Sequence, residues 1–565
     1  MRRVYRTAGV LVLTALAFSC FLLFDPGFHG ADEPIYFAYT SSIVEDGDLN
    51  VVDEVHRPHD TFYVTRTFNL PALHNHGGIL AWMPFYVYAR AAAAALRIWG
   101  VREAAAAEAF AAEKCLMSLS TILFGFGVLF MSYLLARRFY PVRSGIISVA
   151  ALFAGTPLFY YMLMEGGNAN IIAAFFMALS MLVMFSMDKA SRYHWFMFGV
   201  LFSFCLTIKV DLWFLTVLIL IFFAESVRLR RARLSGSVWF FAGLAPVLGM
   251  KLINDFLKYG VFHSGEAGLI NVRGNYFFEQ LFSSYRGYFY SSPILLVCMG
   301  AGLASAVTFL AARRSAAADD PSDRLCTILF AYICIKLAIC SFRYAWGGGN
   351  AGARQLLADF PIFVLLFCRV FSVRSALLRW LVLFISCACI FWNLLTIAEY
   401  YAQVDLITAP FALDFSPNMF LPRMGRIGHL LAAVAAPKAV AFKAWLSLPL
   451  VLFLAGCIVV LRRRTGFVKR AAAARAFPRA LAITLAYMMC AYAAITGMNA
   501  YNNPRNSVHL RRSGAYPNAV PISPGGYERF ERESCYVEMT QYFTLMRDEY
   551  RIEQQLKLRK ALDGD

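Results

Sequence analysis

Apolar runs of about 17 to 22 residues recur along the whole chain, each close to the length that a bilayer core demands of a helix. They fall at 7–24, 115–136, 145–164, 169–187, 195–209, 211–227, 237–256, 291–311, 325–342, 355–372, 378–397, 441–461 and 480–498. The pattern predicts an all-α integral membrane protein, a polytopic bundle of about thirteen transmembrane helices. The pair 195–209 and 211–227 is short for two crossings. The first run follows a Met-Arg-Arg start but ends in Phe21-Leu-Leu-Phe-Asp-Pro-Gly with no small-residue cleavage site, so a retained first helix is expected.

The polar gaps set the orientation. With Arg2, Arg3 and Arg6 in the cytoplasm, every second gap is basic: Arg137, Arg138 and Arg143; Lys189 and Arg192; Arg228 to Arg233; Arg313, Arg314 and Arg324; Arg374 and Arg379; Arg462 to Arg479. That alternation is the positive-inside signature. One apolar stretch, 78–99, would invert every later cluster if it crossed. It is therefore expected to lie in the outer interface, with Trp82, Tyr86, Tyr88 and Trp99 at headgroup depth. The first external loop then runs from about 25 to 114, long enough to suggest a function of its own. Residues 1–498 form the expected transmembrane domain, and 499–565 a small external helical segment.

Composition agrees. Of 565 residues, 59% are hydrophobic and 16% charged, against roughly 25% charged in soluble domains. The net charge of +18 sits in short clusters between apolar runs, without a stacking platform, which argues for topology and against a nucleic-acid partner. The 13 cysteines fall mostly inside apolar runs, as at Cys298, Cys334, Cys340, Cys387 and Cys389, so neither a disulfide framework nor a metal motif is visible.

Candidate chemistry gathers on the external side. Asp32 and Glu33 precede Pro34 just after the first run, either as acids favouring a helix N-terminus or as a general base at the membrane surface. His56, His59, His74 and His76 share the first loop with Asp53, Glu54 and Asp60, at no recognised zinc spacing. Magnesium or manganese is an open cofactor candidate there. Lys209 and Asp211 flank a break between two short helices, and Lys336 lies inside a run with no visible partner. Asp359 could pair with Arg343 or Arg354. Gly347-Gly-Gly-Asn-Ala-Gly fits a dinucleotide fingerprint literally but follows no strand, so it reads as a glycine-rich turn, one that could open a helix towards a lipid phosphate.

The Asp32-Glu33-Pro34 start, the following short helix and the Asp46-Gly-Asp-Leu turn resemble the GT-C class of membrane glycosyltransferases, which includes protein O-mannosyltransferases and the lipid A aminoarabinose transferase. Gly77-Gly78 to Pro84-Phe85-Tyr86, Tyr285-Arg-Gly-Tyr-Phe-Tyr-Ser-Ser-Pro and Trp346-Gly-Gly-Gly-Asn-Ala-Gly-Ala-Arg-Gln also resemble bacterial relatives of that class. The resemblance implies a polyprenyl-phosphate sugar donor, a hexosyl- or pentosyltransferase step with inversion, and a glycolipid, polysaccharide or protein acceptor outside the cytoplasm. It gives Asp32 the role of catalytic base, with Glu33 beside it; the basic clusters and the absence of an organellar signal suit a bacterial inner membrane, with the site on its periplasmic face. The cations for the leaving phosphate would come from Arg66, Lys209, Arg273, Arg286, Arg343 and Arg354, and the cavity from Tyr36, His74, His76, His263, Glu266 and Trp346. Two other classes fit the architecture: a ligase or polymerase of polyprenyl-linked oligosaccharides, and a lipid or solute transporter. A transporter would show internal repeats or paired broken helices, and no repeat is evident.

Overall fold

Long apolar runs have one way to satisfy their backbone polar groups away from water, and the chain takes it: nearly every described residue is helical. A computed structural model describes residues 32–51, 63–64, 75–98, 104–186, 191–228, 235–259, 275–283, 287–314, 320–342, 354–371, 375–402, 470–513 and 520–521. The helices, in chain order, are α1 (Asp32–Glu45), α2 (Ile79–Ile98), α3 (Ala104–Phe139), α4 (Val142–Gly155), α5 (Leu158–Leu163), α6 (Ala169–Ser186), α7 (Arg192–Ile208) and α8 (Leu215–Arg228). They continue as α9 (Ser235–Tyr259), α10 (Phe277–Phe282), α11 (Tyr288–Ser291), α12 (Ile294–Arg314), α13 (Pro321–Cys340), α14 (Phe360–Phe371), α15 (Ala376–Ala402) and α16 (Arg470–Ser513). Two 3-10 turns, Val210–Phe214 and Arg354–Asp359, precede α8 and α14. Strands Tyr63–Val64 and Val520–Pro521 pair in parallel and join the first loop to the tail.

Among the described residues, six helical segments are long and apolar enough to cross a membrane: Met117–Phe139, Ala169–Ser186, Gly236–Lys258, Ile294–Ala312, Ala376–Leu395 and Leu481–Asn502. The expected runs 7–24 and 441–461, the glycine-rich turn at 347–352 and the tail beyond 521 lie outside the described residues. Several other expected spans are interrupted. The run 145–164 divides into α4 and α5 at Thr156-Pro157, and 355–372 begins as a 3-10 turn before the twelve-residue α14. Broken backbone at membrane depth is tolerated where protein surrounds it. Each break here is indeed buried: Thr156, Asp211 and the residues from Gln355 to Asp359 are inaccessible.

The bundle is organised around α6, buried on almost every side and packed against α3, α7 and the Arg354–Asp359 turn. Outer helices turn apolar side chains outward instead, as with Phe384, Trp380 and Leu377 on α15 and Phe241 and Val238 on α9. That inside-out surface suits a lipid solvent, whereas in water it would be an aggregating patch. Helices α7 and α9 approach through Gly199 and Gly243. A Cβ at Gly199 would lie 2.0 Å from the Phe240 carbonyl oxygen, and one at Gly243 would lie 2.1 Å from that of Phe196. Close backbone approach through small residues is how helices gain contact in a membrane, where no hydrophobic drive separates them from lipid.

The first loop is fastened to α16, the last of the described helices. Gly47 adopts φ +72° in the Asp46-Gly-Asp-Leu turn, a conformation that glycine takes without strain. Asp48 Oδ1 accepts the Ser42 hydroxyl at 2.9 Å and the Asn50 N–H at 2.8 Å. The Leu49 N–H then reaches Asn499 Oδ1 on α16 at 3.0 Å, and Asn502 Nδ2 donates to the Asp46 carbonyl at 3.1 Å.

Candidate active site

Helix α1 opens at Asp32, and its second residue, Glu33, points into the bundle with no exposed surface. Glu33 Oε1 accepts a hydrogen bond from Asn168 Nδ2 at 2.9 Å. Its Oε2 is equally buried and takes no hydrogen bond. A buried carboxylate oxygen left in this state is costly unless a ligand or proton is meant to meet it. Asp32 stands one residue earlier on the same helix turn; its side chain lies outside what is described.

Asn168 organises the centre of the site. It stands immediately before α6, and its Oδ1 accepts the Asn170 backbone N–H at 2.9 Å, the bond of an N-capping residue. Capping uses the amide oxygen and frees both Nδ2 hydrogens. One goes to Glu33 Oε1 and the other to Glu165 Oε1, at 2.7 Å. Two buried carboxylates thus meet at one amide nitrogen. The turn that makes this possible contains Gly167, at φ +87°, whose N–H donates to Thr121 Oγ1 at 2.8 Å. Gly166 lies against Ser118, where a Cβ would come within 2.3 Å of the serine Cβ.

The polar path continues from the acids to a cation. The Asn170 side chain donates to Asn168 Oδ1 and accepts from the Lys209 ammonium. Lys209 occupies the break between α7 and the Val210–Phe214 turn, with extended backbone at φ −156°. Its ammonium is 3.6 Å from Asp211 Oδ2. The expectation that this pair flanks a helix break holds, and the two side chains face each other. The break is held from the first loop: the Gly77 N–H donates to the Thr207 carbonyl at 2.9 Å, and a Cβ at Gly77 would lie 2.1 Å from Thr207 Oγ1.

Beyond Asp211 lies the partner of Lys336. It is Asp359, where the sequence suggested Arg343 or Arg354 for the aspartate; Lys336 Nζ donates to Asp359 Oδ2 at 2.6 Å. The two residues are 23 positions apart and meet because α13 packs against α14, the helix that the Arg354–Asp359 turn opens. Arg354 is half-buried at the start of that turn. The neighbouring Gln355 Oε1 accepts the Tyr288 hydroxyl at 3.4 Å.

Two of the expected cavity residues are buried in packing. Tyr36 packs at a tilt against Trp82 with ring centroids 4.9 Å apart, joining α1 to α2. His76 is 2% exposed, stacks on Tyr492 and meets its hydroxyl at 2.8 Å through Nε2. Burial, aided by the nearby Lys251 charge, lowers the His76 imidazole to about 3, so it is neutral at physiological pH. Arg66, His74, His263, Glu266, Arg273, Arg286, Arg343 and Trp346 lie outside the described residues, as do His56 and His59. Among the described residues no three His, Cys, Asp or Glu side chains gather as a metal cluster, and no cysteine forms a disulfide.

Glu165, Asn168 and Asn170 escaped the sequence reading. The signal was present, since Glu165-Gly-Gly-Asn-Ala-Asn interrupts two apolar runs, and a carboxylate at membrane depth is a functional candidate by default. It carried no recognisable spacing, and its meaning comes from Glu33, 135 residues away at the other end of the Asn168 bond.

No family model matches the chain, and no curated protein matches it. Among solved structures the chain is similar to the crystal structure of ArnT from Cupriavidus metallidurans bound to undecaprenyl phosphate. Identity is 16%, coverage is 90% of this chain and 79% of that one, and the TM-score is 0.42, a likeness too loose to assign a function.

Proposed function

We propose that the chain is an inverting glycosyltransferase that moves a sugar from a polyprenyl-phosphate donor to an acceptor hydroxyl at the periplasmic face of an inner membrane. One observation carries the reading: a buried carboxylate with an unsatisfied oxygen, Glu33 Oε2, tied through two asparagines to a lysine at a broken helix. A carboxylate adjoining the proposed base Asp32 and a cation lie on one path, and an acid–base group and a cation are what this displacement needs. The resemblance of the Asp32-Glu33-Pro34 region to GT-C enzymes supports the same assignment.

In the proposed step the acceptor oxygen attacks the anomeric carbon while the bond from that carbon to the phosphate oxygen breaks on the opposite face. The acceptor proton passes to the Asp32-Glu33 pair, with Asp32 as base and Glu33 holding the helix turn to Asn168. The electron pair leaves with the polyprenyl phosphate, whose developing charge Lys209 meets. Arg66, Arg273, Arg286, Arg343 and Arg354 are further phosphate candidates, and His74, His263, Glu266 and Trp346 further cavity candidates. Glu33 and Glu165, sharing one amide, are also a donor set suited to magnesium or manganese, which would add Lewis-acid stabilisation when bound.

The test is transfer from a panel of polyprenyl-phosphate sugars by purified protein in nanodiscs. Release of polyprenyl phosphate by wild type, abolished in Asp32→Asn and Glu33→Gln variants that keep their thermal stability, is the expected outcome. Undiminished turnover in both variants would remove the acidic pair from catalysis. Absence of turnover with every donor would overturn the transferase reading.

A further inference from the structure

Two segments that stand out in the sequence, Tyr285-Arg-Gly-Tyr-Phe-Tyr-Ser-Ser-Pro and Trp346-Gly-Gly-Gly-Asn-Ala-Gly-Ala-Arg-Gln, meet where the Tyr288 hydroxyl donates to Gln355 Oε1 at 3.4 Å. Neither residue has a part in the proposed transfer step. The row continues to α10, where Gln280 Nε2 donates to the Tyr288 hydroxyl at 2.9 Å. Gln280 is 1% exposed, and its other amide atom, Oε1, takes no hydrogen bond. Ser292, whose N–H donates to the Tyr288 carbonyl at 3.0 Å, is also buried with an unmet hydroxyl. Ser291, by contrast, donates its hydroxyl to the Gly287 carbonyl at 2.9 Å. Two unmet polar groups thus adjoin one tyrosine, an arrangement that is costly unless a ligand meets them. The cover over the amide is α10 itself. Phe278 and Phe282, four residues apart, face outward at 73% and 55% exposure, while Gln280 and Leu281 face inward. Helices α10 and α11 lie between the spans Gly236–Lys258 and Ile294–Ala312, on the side that the basic clusters predict to be external. Two exposed phenylalanines suit a six-residue helix resting at a membrane interface.

We propose that Gln280, aimed by Tyr288, is a sugar-binding residue: its unmet amide oxygen accepts a hydroxyl of the donor sugar when α10 lifts. The inference rests on the reading of the chain as a transferase from a polyprenyl-phosphate sugar. Amide and phenol groups carry no charge and offer both donors and acceptors, which suits the hydroxyls of a neutral pentose or hexose. The place of the row favours the donor over the acceptor. Gln355 directly follows Arg354, a phosphate candidate, in a turn that packs against α6, and α6 opens at the asparagines that lead to Lys209. The sugar of a bound donor adjoins its phosphate, so its hydroxyl contacts belong beside the phosphate cations. A carrier without the sugar leaves the amide unmet, and the pair therefore selects as well as binds.

The experiment measures binding to the full chain in nanodiscs of polyprenyl phosphate carrying mannose, glucose or arabinose, and of bare polyprenyl phosphate. Gln280→Leu and Tyr288→Phe are expected to weaken the sugar-bearing ligand by about tenfold, the size of one hydrogen bond, and to leave bare polyprenyl phosphate as in wild type. Tyr288→Phe keeps the ring in place, so one variant retains the packing if Gln280→Leu loosens α10. A packing defect would weaken both ligands alike. Equal weakening of both, or unchanged binding of both, overturns the inference and leaves the transferase reading standing. Wild-type protein that binds bare and sugar-bearing carriers equally also overturns it. Wild-type protein that binds no polyprenyl phosphate, bare or loaded, removes the transferase reading and the inference together.

Discussion

Two of the buried polar clusters among the described residues are built on different principles. The first runs from Glu33 and Glu165 through Asn168 and Asn170 to Lys209 and Asp211. The second ties the first loop to α9 and α16. There His76 meets Tyr492, Lys251 pairs with Asp255, and Asn254 donates to Thr496 at 3.0 Å while accepting from Asn499 at 2.9 Å. Asn499 in turn accepts the Leu49 N–H. In the second cluster neutral donors and acceptors bond one another, and the Lys251–Asp255 ion pair spans a single helical turn. The first cluster leaves a carboxylate oxygen unsatisfied and spreads its charges along a path. Closed networks fasten elements; open ones wait for a partner. That contrast, rather than burial or charge alone, separates a site from a rivet.

The sharpest way to break the comparison is Glu33→Gln. It keeps the shape but removes the charge beside the proposed base Asp32, and should lower sugar transfer by about a hundredfold with little change in melting temperature. Transfer assays and thermal unfolding on one preparation check both halves. Asn168→Leu should act on function and stability together. Losing the amide that holds two carboxylates should reduce transfer by about a hundredfold and stability by about 2 kcal/mol. In the closed cluster, Asn254→Leu should cost about 2 kcal/mol of stability while transfer stays within about threefold of wild type. Equal loss of transfer from Asn168→Leu and Asn254→Leu would erase the distinction.

The smallest effect concerns pH. His76 in the fold takes a proton only near pH 3, whereas an unfolded histidine takes one near 6.5. A base lowered in the fold leaves the unfolded state binding more protons between those values. Its contribution to stability is therefore intact above 6.5 and erodes as pH falls towards 3. At pH 5 the loss is about 2 kcal/mol. Melting curves in detergent at pH 7.5 and 5 should differ for wild type, and the difference should shrink in His76→Gln.

Several features were readable along the chain because they depend on local composition. The apolar runs predict helices, and the runs 115–136, 169–187, 237–256, 291–311, 378–397 and 480–498 each overlap a described helix: α3, α6, α9, α12, α15 and α16. The Asp32-Glu33-Pro34 start was recognisable as a helix opening with acids, and α1 begins there. The Lys209–Asp211 break was likewise visible as two ionisable residues between short runs. Period and composition say less about an interrupted run. The split of 145–164 at Thr156-Pro157 and the 3-10 start of 355–372 depend on what surrounds them. Such interruptions are stable only inside protein, and an isolated run does not reveal its neighbours.

The partners were decided elsewhere. The order of apolar and basic segments, by itself, determined a helical membrane protein and marked the acidic opening of α1, because hydrocarbon thickness and backbone hydrogen bonding act on each segment alone. Only the tertiary structure decided that Glu33 meets Asn168, that Lys336 answers Asp359, and that His76 faces Tyr492. Those contacts join residues 135, 23 and 416 positions apart. Buried charges and amides are satisfied by whichever donor the packing brings within about 3 Å, and packing is a property of the whole bundle.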